Sequence, residues 1–346
     1  MRTLVLGGTH HVGRAVVEAA LARGDEVTTL TRGVTGHAVA GAEARHADRR
    51  DRAALARTLG DDTWDAVVDT WSFEPAAVRA TARLLGGRVP HYTYVSSRSV
   101  YVWPLRPASD ESAPVLDGDP DSADAADYAA AKRGAELALE SFPGEVLVAR
   151  AGLVLGPYEV VGRLPWWLAR IAAGGRVPAP GPRDRPLQYV DARDLATWVL
   201  EAGRTGVGGT FNTVSSPGHT TIGALLEACL AVTGSGAELV WVPPDVVEAA
   251  GVSGWTDLPI WVPPTGELAG LHDCDVSAAR AAGLRCRPMA ETVLDTWSWL
   301  QREGPGSPLS DRAGQLGITP DQEARLLGGR DGWPAAGLTP SAAPPG

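Results

Sequence analysis

The first 31 residues are the part of this sequence that most constrains the fold. An apolar run, Thr3–Leu6, has the length and composition of a buried strand and stops at Gly7. Apolar side chains then recur at helical spacing from Val12 to Ala22, and Glu26–Thr31 is again β-branched and apolar. A strand, a helix and a second strand in so short a stretch predict a crossover unit with two parallel strands.

The same alternation continues to about residue 149. Further strands are predicted at residues 65–69, 91–96 and 145–149, and further helices at residues 51–59, 75–85 and 125–140. Crossover connections place helices on both faces of a parallel sheet, so the pattern predicts a doubly wound α/β fold.

The loop between the first strand and the first helix reads Gly7-Gly8-Thr9-His10-His11-Val12-Gly13. Glycine permits a tight turn and lets backbone N–H groups approach a pyrophosphate, which the positive end of the following helix also attracts. The loop therefore predicts a dinucleotide site, with an ordinary strand–helix turn as the alternative. The residues expected to contact the cofactor are Gly7, Thr9, His10, His11, Val12 and Gly13. In a GxxGxxG loop the middle glycine would fall on residue 10, where this chain has His10. The histidine side chain must therefore point away from the phosphates, or the cofactor must sit slightly differently.

Beyond Arg150 the regularity fades, and proline-rich loops separate the predicted elements. Helices are predicted near residues 164–173, 192–202, 221–232, 275–283 and 289–302, with a strand at 239–242 and a capped helix after Thr319. We expect a dinucleotide-binding domain at residues 1–150 and a mixed substrate-binding region at residues 151–330, which returns some strands to the sheet. Residues 334–346 are mostly Pro, Ala, Gly and Ser, a composition typical of a disordered tail.

Two residues outside the glycine loop bear on which dinucleotide binds. An NAD site places a carboxylate at the end of the second strand, whereas the 2′-phosphate of NADP needs a cation there. The residue at this point is Arg32, which favours NADP, with NAD still an option and a solvated surface arginine as the alternative. Asp48 is a candidate partner of the adenine amino group, or else a turn residue.

A tyrosine and a lysine four residues apart, Tyr128 and Lys132, lie in a strong helical pattern and therefore on one face. A nearby ammonium favours the phenolate and lowers the tyrosine pKa, so the pair suits proton transfer beside a nicotinamide, and a surface pair is the alternative. Lys132 is also placed to hold the nicotinamide ribose hydroxyls. Ser97, at the end of the preceding strand, is the first choice for binding the substrate oxygen, with Ser96 and Ser99 as rivals.

Charge and composition exclude several classes of function. The formal net charge is −10, so the chain repels phosphate backbones and we expect no nucleic-acid partner. The three cysteines are scattered, with no CxxC pair, so no metal site is predicted. The N-terminal apolar run is too short for a signal peptide, and no stretch reaches the ~20 apolar residues of a membrane span. These features favour a cytoplasmic protein that acts on a small molecule.

Taken together, these motifs resemble the short-chain dehydrogenase/reductase superfamily in its extended and atypical branches, the NAD-dependent epimerase/dehydratase family. The matching segments are residues 7–13, 48, 96–101, 128–132, 150–157, 188–196 and 275–283. They span roughly four-fifths of the chain in the expected order. The resemblance implies a Rossmann-type sheet with a small C-terminal substrate region, and it implies Ser97, Tyr128 and Lys132 as the catalytic set.

The resemblance also implies cofactor contacts beyond the glycine loop. The loop after Arg150 is expected to pack against the nicotinamide, which makes Gly152 and Val154 cofactor contacts. The strand from residue 65 ends in Thr70 and Trp71 in place of small residues, so both are expected to line the cofactor pocket and Trp71 to narrow it. Relatives often dimerise through a bundle that includes the tyrosine–lysine helix, which makes a homodimer a candidate assembly.

Three functions are open at this point. The first expectation is an NADP(H)-dependent reductase or dehydrogenase of a small carbonyl or alcohol. An NAD-dependent nucleotide-sugar epimerase is the alternative, and a non-catalytic NADP-binding protein is the third. The cations available for a substrate diphosphate are Arg176, Arg183 and Arg185. The tryptophans that either wall an apolar substrate pocket or belong to the core are Trp166, Trp167, Trp255 and Trp261.

Overall fold

The computed structural model describes residues 1–34, 36–303 and 316–328, and the tail predicted at residues 334–346 lies outside them. The strands are β1 (Arg2–Leu6), β2 (Glu26–Thr31), β3 (Glu43–His46), β4 (Ala66–Asp69), β5 (His91–Ser97), β6 (Glu145–Ala151), β7 (Leu153–Leu155), β8 (Arg176–Pro180), β9 (Pro186–Leu187), β10 (Tyr189–Asp191), β11 (Gly209–Thr213), β12 (Thr220–Thr221), β13 (Glu238–Val242), β14 (Gly254–Trp255) and β15 (Leu258–Pro259). The helices are α1 (His11–Ala22), α2 (Arg52–Leu59), α3 (Pro75–Leu85), α4 (Tyr128–Ala138), α5 (Arg163–Ala172), α6 (Ala192–Thr205), α7 (Ile222–Thr233), α8 (Pro244–Ala249), α9 (Ser277–Ala281), α10 (Met289–Glu303) and α11 (Pro320–Leu326).

Seven parallel strands form the central sheet, in the order β11-β6-β5-β4-β1-β2-β3. Helices α1 and α6 cover one face, and α2, α3 and α4 cover the other. This arrangement confirms the predicted doubly wound α/β sheet. From β1 the chain first moves outwards to β2 and β3 and then returns to β4 on the other side. A ligand crevice is expected at such a reversal, beyond the carboxyl ends of the strands.

Within the first 150 residues, two elements differ clearly from the sequence prediction, each for a local reason. Helix α4 begins at Tyr128 and not at residue 125, because the carboxylate of Asp127 accepts hydrogen bonds from the N–H groups of Ala129 and Ala130 and caps the helix. Strand β3 is absent from the prediction because it lies at the edge of the sheet with mostly exposed side chains. It therefore lacks the buried apolar pattern by which strands are recognised. Beyond residue 150 the prediction gave one strand, at 239–242, so the short strands β7–β12, β14 and β15 and the helix α8 were not predicted.

The chain beyond residue 150 contributes to two cores. Strand β11 joins the central sheet beside β6, and α6 packs against α1, whereas α5, α7 and α10 enclose a second apolar core. Trp167 and Trp261 are fully buried in this second core, where their indole N–H groups donate to the carbonyls of Pro259 (2.7 Å) and Gly181 (3.1 Å). These two tryptophans are therefore core residues. Trp166 and Trp255 pack against the same core and are partly buried.

Helix α11 is held on the second core by a buried ion pair. Its predicted capping box is present, because the side chains and backbone N–H groups of Thr319 and Gln322 are joined reciprocally. Arg170 of α5 donates to both carboxylate oxygens of Glu323, from Nε at 3.0 Å and from Nη2 at 2.5 Å. Both side chains are almost completely buried, so the loss of either leaves a buried charge without its partner.

Replacing Glu323 by alanine is expected to lower the free energy of unfolding by about 3 kcal/mol, because the buried guanidinium of Arg170 then loses the carboxylate that accepts two of its hydrogen bonds. Chemical denaturation followed by circular dichroism measures the change. Glu201→Ala is the control, since it removes an exposed ion pair with Arg204 and should leave stability nearly unchanged. Equal losses in the two variants would contradict the buried role of the Arg170–Glu323 pair.

Candidate active site

Close packing between α1 and the loop before it leaves room only for glycine at two positions. A Cβ on Gly13 would lie 2.7 Å from the backbone nitrogen of Gly8, and a Cβ on Gly7 would overlap Oγ1 of Thr70. Gly7 also has a φ of +124°, which residues with side chains rarely adopt. The loop is therefore drawn tightly against α1 and the end of β4, as the close approach of a pyrophosphate requires.

The N-terminus of α1 is open to an anion. His10, the residue before the helix, makes no side-chain cap bond, and the first turn contains no acidic residue. A Cβ on Gly36 would lie 2.9 Å from Cε1 of His10 and 2.9 Å from Cβ of Thr9, so both residues pack beside the loop that follows β2. Burial lowers the pKa of His11 to about 4, so its ring is neutral at neutral pH. The donors offered to an anion are backbone N–H groups, which fits a dinucleotide phosphate.

The end of β2, where the adenosine ribose is expected, carries a cation and no carboxylate. The guanidinium of Arg32 is exposed and forms no hydrogen bond or ion pair with any residue that the structure describes. Beside it, Oγ1 of Thr31 lies 3.3 Å from Nδ1 of His46, at the end of β3. Asp48 forms a turn, in which Oδ1 accepts from the backbone nitrogen of Arg50 at 3.0 Å. A contact between Asp48 and adenine stays a prediction.

Lys132, the only lysine in the chain, is buried where β4, β5 and α4 meet. Its Nζ donates to the carbonyl of Trp71 at 2.8 Å and to that of Val95 at 2.7 Å. It also lies 4.7 Å from the ring centroid of Tyr94. Burial lowers the pKa of Lys132 to about 7, well below that of a solvated lysine. Two of the three ammonium N–H groups thus donate to backbone carbonyls, and a contact between Lys132 and a ribose hydroxyl stays a prediction.

Tyr128 opens α4 beside this lysine. Its side chain is 40% exposed, and Nζ of Lys132 lies 6.0 Å from its ring centroid. The Tyr128 side chain is thus partly open to solvent, with the ammonium of Lys132 beside its ring. The structure therefore brings together the tyrosine and the lysine that the sequence places one helical turn apart.

Of the three serines considered at the end of β5, Ser97 is the one left at the edge of the sheet. Ser96 is buried, and its hydroxyl donates to Oε1 of Glu136 at 2.6 Å, so it is used internally. Oγ of Ser97 is half-buried, accepts from the backbone N–H of Ser99 at 3.1 Å and donates to its hydroxyl at 3.0 Å. Because the carbonyl of Val95 in the same strand binds the ammonium, Ser97 lies at the same edge as the tyrosine–lysine pair.

A buried ion pair that the sequence did not predict lies at the end of β4. Asp69 accepts from both terminal nitrogens of Arg49, at 2.6 and 2.8 Å, and from the hydroxyl of Tyr92 at 2.5 Å. The guanidinium of Arg49 also lies 4.9 Å from the ring centroid of Trp71. In the sequence Arg49 is one of several charged residues in a row, so nothing marks it as buried. The one available signal is Asp69, because a carboxylate at the end of an apolar strand needs a partner when it is buried.

The remaining predicted cofactor contacts are Thr70 after β4, Gly152 after β6 and Val154 in β7. Oγ1 of Thr70 donates to the carbonyl of Leu6 at 3.0 Å and so joins the end of β4 to β1. Gly152 follows β6 at a point where a Cβ would lie 2.5 Å from Cγ1 of Val214, which explains the glycine by packing alone. Val154 is half-buried in β7. Contacts of Gly152 and Val154 with a nicotinamide stay predictions.

The three arginines considered for a substrate diphosphate all have partners within the chain. Arg176 and Arg183 form ion pairs with glutamates of neighbouring elements. Arg185 donates to the carbonyls of Pro263 at 3.2 Å and Ala269 at 2.7 Å. A diphosphate would have to displace these partners in order to bind the three guanidinium groups.

The part of the chain that the structure describes contains neither a metal-binding cluster nor a membrane-spanning helix. Within residues 1–34, 36–303 and 316–328, no group of three or more His, Cys, Asp or Glu side chains is arranged to hold a metal ion. All three cysteines are free thiols. Among the helices described there, none has the length and apolar character needed to cross a membrane.

Comparison with known proteins gives a family match and a set of similar folds. A sequence model of the NAD dependent epimerase/dehydratase family matches residues 3–213, whereas no curated protein matches the chain. The Bordetella bronchiseptica enzyme WbmG, solved with NAD and UDP, is similar at a TM-score of 0.67 and 19% identity, over 92% of this chain and 99% of that one. The enzyme WbmH from the same organism, solved with NAD+, is similar at a TM-score of 0.66 and 19% identity, over 88% of this chain and 99% of that one. UDP-glucose 4-epimerase from Thermotoga maritima, solved with UDP-glucose, is similar at a TM-score of 0.66 and 18% identity, over 88% of this chain and 99% of that one. At these identities the likeness shows a shared fold.

Gly13→Ala is expected to weaken the binding of NADH and NADPH by about tenfold or more, because the added methyl group pushes α1 away from the glycine loop. Fluorescence titration of the reduced cofactors measures the affinity. Gly203→Ala inside α6 is the control, since its Cβ would meet only side-chain atoms, the nearest at 3.1 Å. An unchanged affinity in Gly13→Ala would show that no dinucleotide binds at this loop.

Proposed function

Because this chain belongs to the NAD-dependent epimerase/dehydratase family, we propose that it is an epimerase that oxidises and re-reduces one carbinol carbon of a nucleotide sugar and retains its NAD. The observation that carries the proposal is the exposed phenol of Tyr128 beside the buried ammonium of Lys132, at the carboxyl edge of the sheet. Support for the substrate class comes from the similar structures that hold UDP or UDP-glucose. Support for NAD comes from those that hold NAD.

In the proposed reaction Tyr128 moves the proton. Its phenolate takes the proton of the substrate hydroxyl and returns it when the carbon is reduced again. The hydroxyl of Ser97 turns its one proton from Ser99 towards the same substrate oxygen and donates a hydrogen bond to it. The ammonium of Lys132 stabilises the phenolate by its charge. A bound NAD supplies the redox chemistry at the adjacent carbon. The contribution of the chain is to hold the substrate oxygen between the two hydroxyl groups.

A second candidate, an NADP(H)-dependent reductase of a small carbonyl compound, rests on Arg32. Its exposed guanidinium, with no carboxylate at the end of β2, suits the 2′-phosphate of NADP. The internal partners of Arg176, Arg183 and Arg185 also favour a substrate without a diphosphate. Both candidates use the same proton-transfer residues and differ in whether the cofactor leaves after each turnover. A homodimer that includes α4 stays a prediction for either.

Tyr128→Phe is expected to lower turnover by about 100-fold or more while cofactor affinity is retained, because the ring remains and only the proton donor is lost. Epimerisation of UDP-glucose and related UDP-hexoses, followed by NMR, measures turnover. Tyr189→Phe is the control: its hydroxyl donates to the carbonyl of Arg287, which is not a predicted site residue, so turnover should be unchanged. Full turnover in Tyr128→Phe, or none in the NAD-loaded native protein, would contradict the proposed epimerase.

Nucleotide content separates the two candidates. An epimerase should release about one NAD per chain on denaturation, whereas the reductase should elute empty and bind NADPH about tenfold more tightly than NADH. In the second case Arg32→Ser is expected to remove the preference, because the cation for the 2′-phosphate is lost. Arg57→Ser, at an exposed position in the last turn of α2, is the matched control. A preference for NADPH that survives Arg32→Ser would exclude Arg32 as its source.

A further inference from the structure

The backbone of Trp71 is held on both sides, and one of its partners is Lys132. Its N–H donates to Oδ1 of Asp69 at 2.9 Å. Its carbonyl accepts from Nζ of Lys132 at 2.8 Å and from the hydroxyl of Tyr94 at 3.0 Å. The indole N–H donates to the carbonyl of Glu74 at 3.1 Å. The position of the ammonium therefore depends on how this one residue is held.

Arg49 and Asp69 contact Trp71 through both its backbone and its ring. Asp69 is completely buried, and both of its oxygens are occupied by the guanidinium of Arg49. Arg49 is buried as well, lies over the indole, and donates from Nε (3.2 Å) and Nη2 (3.0 Å) to Oγ1 of Thr81 in α3. The pair thus joins Trp71 to the end of β4 and to α3, which leaves its carbonyl little freedom to move.

We propose that Arg49 and Asp69 are positioning residues for Lys132, which hold its ammonium beside Tyr128 through the backbone of Trp71 and set its charge state through their own charges. The inference rests on the proposed function, in which the ammonium acts on the phenol. Neither member of the pair is exposed to the crevice, so both act through another residue.

Stability alone is a weak reason for a buried ion pair at this place. Two charges lose their hydration on burial, and a well-packed apolar pair often gives equal or greater stability. Arg170 and Glu323 form a comparable pair in the second core, where it holds α11 against α5. The Arg49–Asp69 pair differs because it makes direct contact with the residue that anchors the lysine.

The charges around Lys132 predict in which direction each substitution shifts its pKa. The groups that face the ammonium are Asp69 on β4, Tyr94 on β5, Tyr128 and Glu136 on α4, and Arg49 in the loop between β3 and α2. Burial lowers the pKa of Lys132 most, the two carboxylates raise it, and Arg49 lowers it. The two members of the pair therefore act in opposite directions. Loss of the Asp69 charge must lower the pKa of Lys132, and loss of the Arg49 charge must raise it.

The single lysine allows this charge to be measured directly. Protein grown with 13C-labelled lysine and carrying a lysine-free tag should show one lysine Hε–Cε signal, whose shift against pH reports Lys132. Asp69→Asn is expected to move the titration midpoint about one pH unit lower, and Arg49→Gln about one pH unit higher. The measurement needs neither cofactor nor substrate, and loss of packing alone would not produce opposite shifts.

Two further variants keep the inference separate from general destabilisation and from the proposed function. Glu323→Gln breaks a buried ion pair of the same kind, so it should lower stability and leave the Lys132 midpoint within about 0.2 pH unit of the native protein. Tyr128→Phe tests the function alone, since full turnover there overturns the epimerase proposal whatever the lysine titration shows.

Turnover provides the second readout. The ammonium is present below the pKa of Lys132 and lost above it. The alkaline limb of the profile of kcat against pH is therefore expected to move to lower pH in Asp69→Asn and to higher pH in Arg49→Gln, with KM changing less. The proposal would be overturned if Asp69→Asn and Arg49→Gln fold and their Lys132 titration midpoints equal that of Glu323→Gln. If circular dichroism shows that one of the two variants does not fold, the other variant alone tests the proposal: a Lys132 midpoint that does not move in the expected direction overturns it.

Discussion

The candidate site depends on the buried ammonium of Lys132. It is a charge held away from water where β4, β5 and α4 meet, and the two carbonyls that receive it belong to different segments of the sheet edge. Backbone oxygens replace its hydration shell, and two carboxylates, Asp69 and Glu136, lie nearby, each paired with an arginine. Because burial brings its pKa to about 7, small changes in the surrounding charge change its protonation, which is a property that proton-transfer sites share.

The glycine loop and the lysine lie at the same edge of the sheet for a topological reason. Strands β1, β4 and β5 are adjacent and parallel, so their carboxyl ends coincide. Gly7 follows β1, Trp71 follows β4 and Ser97 ends β5, and the hydroxyl of Thr70 joins two of these ends through the carbonyl of Leu6. Groups suited to a dinucleotide and groups suited to proton transfer are thereby placed together although they are distant in the chain.

The described second half of the chain contributes a packed apolar core, and the arginines considered there for phosphate binding already have partners. Its largest fully buried side chains, Trp167 and Trp261, belong to the core. The three arginines considered for a diphosphate each have a partner within the chain. A substrate phosphate that binds to these arginines would have to displace those partners. A nucleotide sugar has phosphates that can compete for the guanidinium groups, whereas an uncharged carbonyl compound has none. The two proposed functions therefore differ in whether their substrate competes for these guanidinium groups.

Up to about residue 150, the sequence by itself determined the order of the elements and the doubly wound sheet, because buried strands are short apolar runs and helices repeat every 3.6 residues. The glycine loop and the Tyr128–Lys132 pair are local patterns as well. The sequence missed β3, whose exposed side chains carry no such pattern, and most of the short strands beyond residue 150, such as β8 and β11. Only the tertiary structure decided that Lys132 is buried and that Arg49 pairs with Asp69. The partners of a buried charge are set by which strands and loops meet, and residues 20 positions apart, as in Arg49–Asp69, or 61 apart, as in Trp71–Lys132, share no periodicity that a sequence could display.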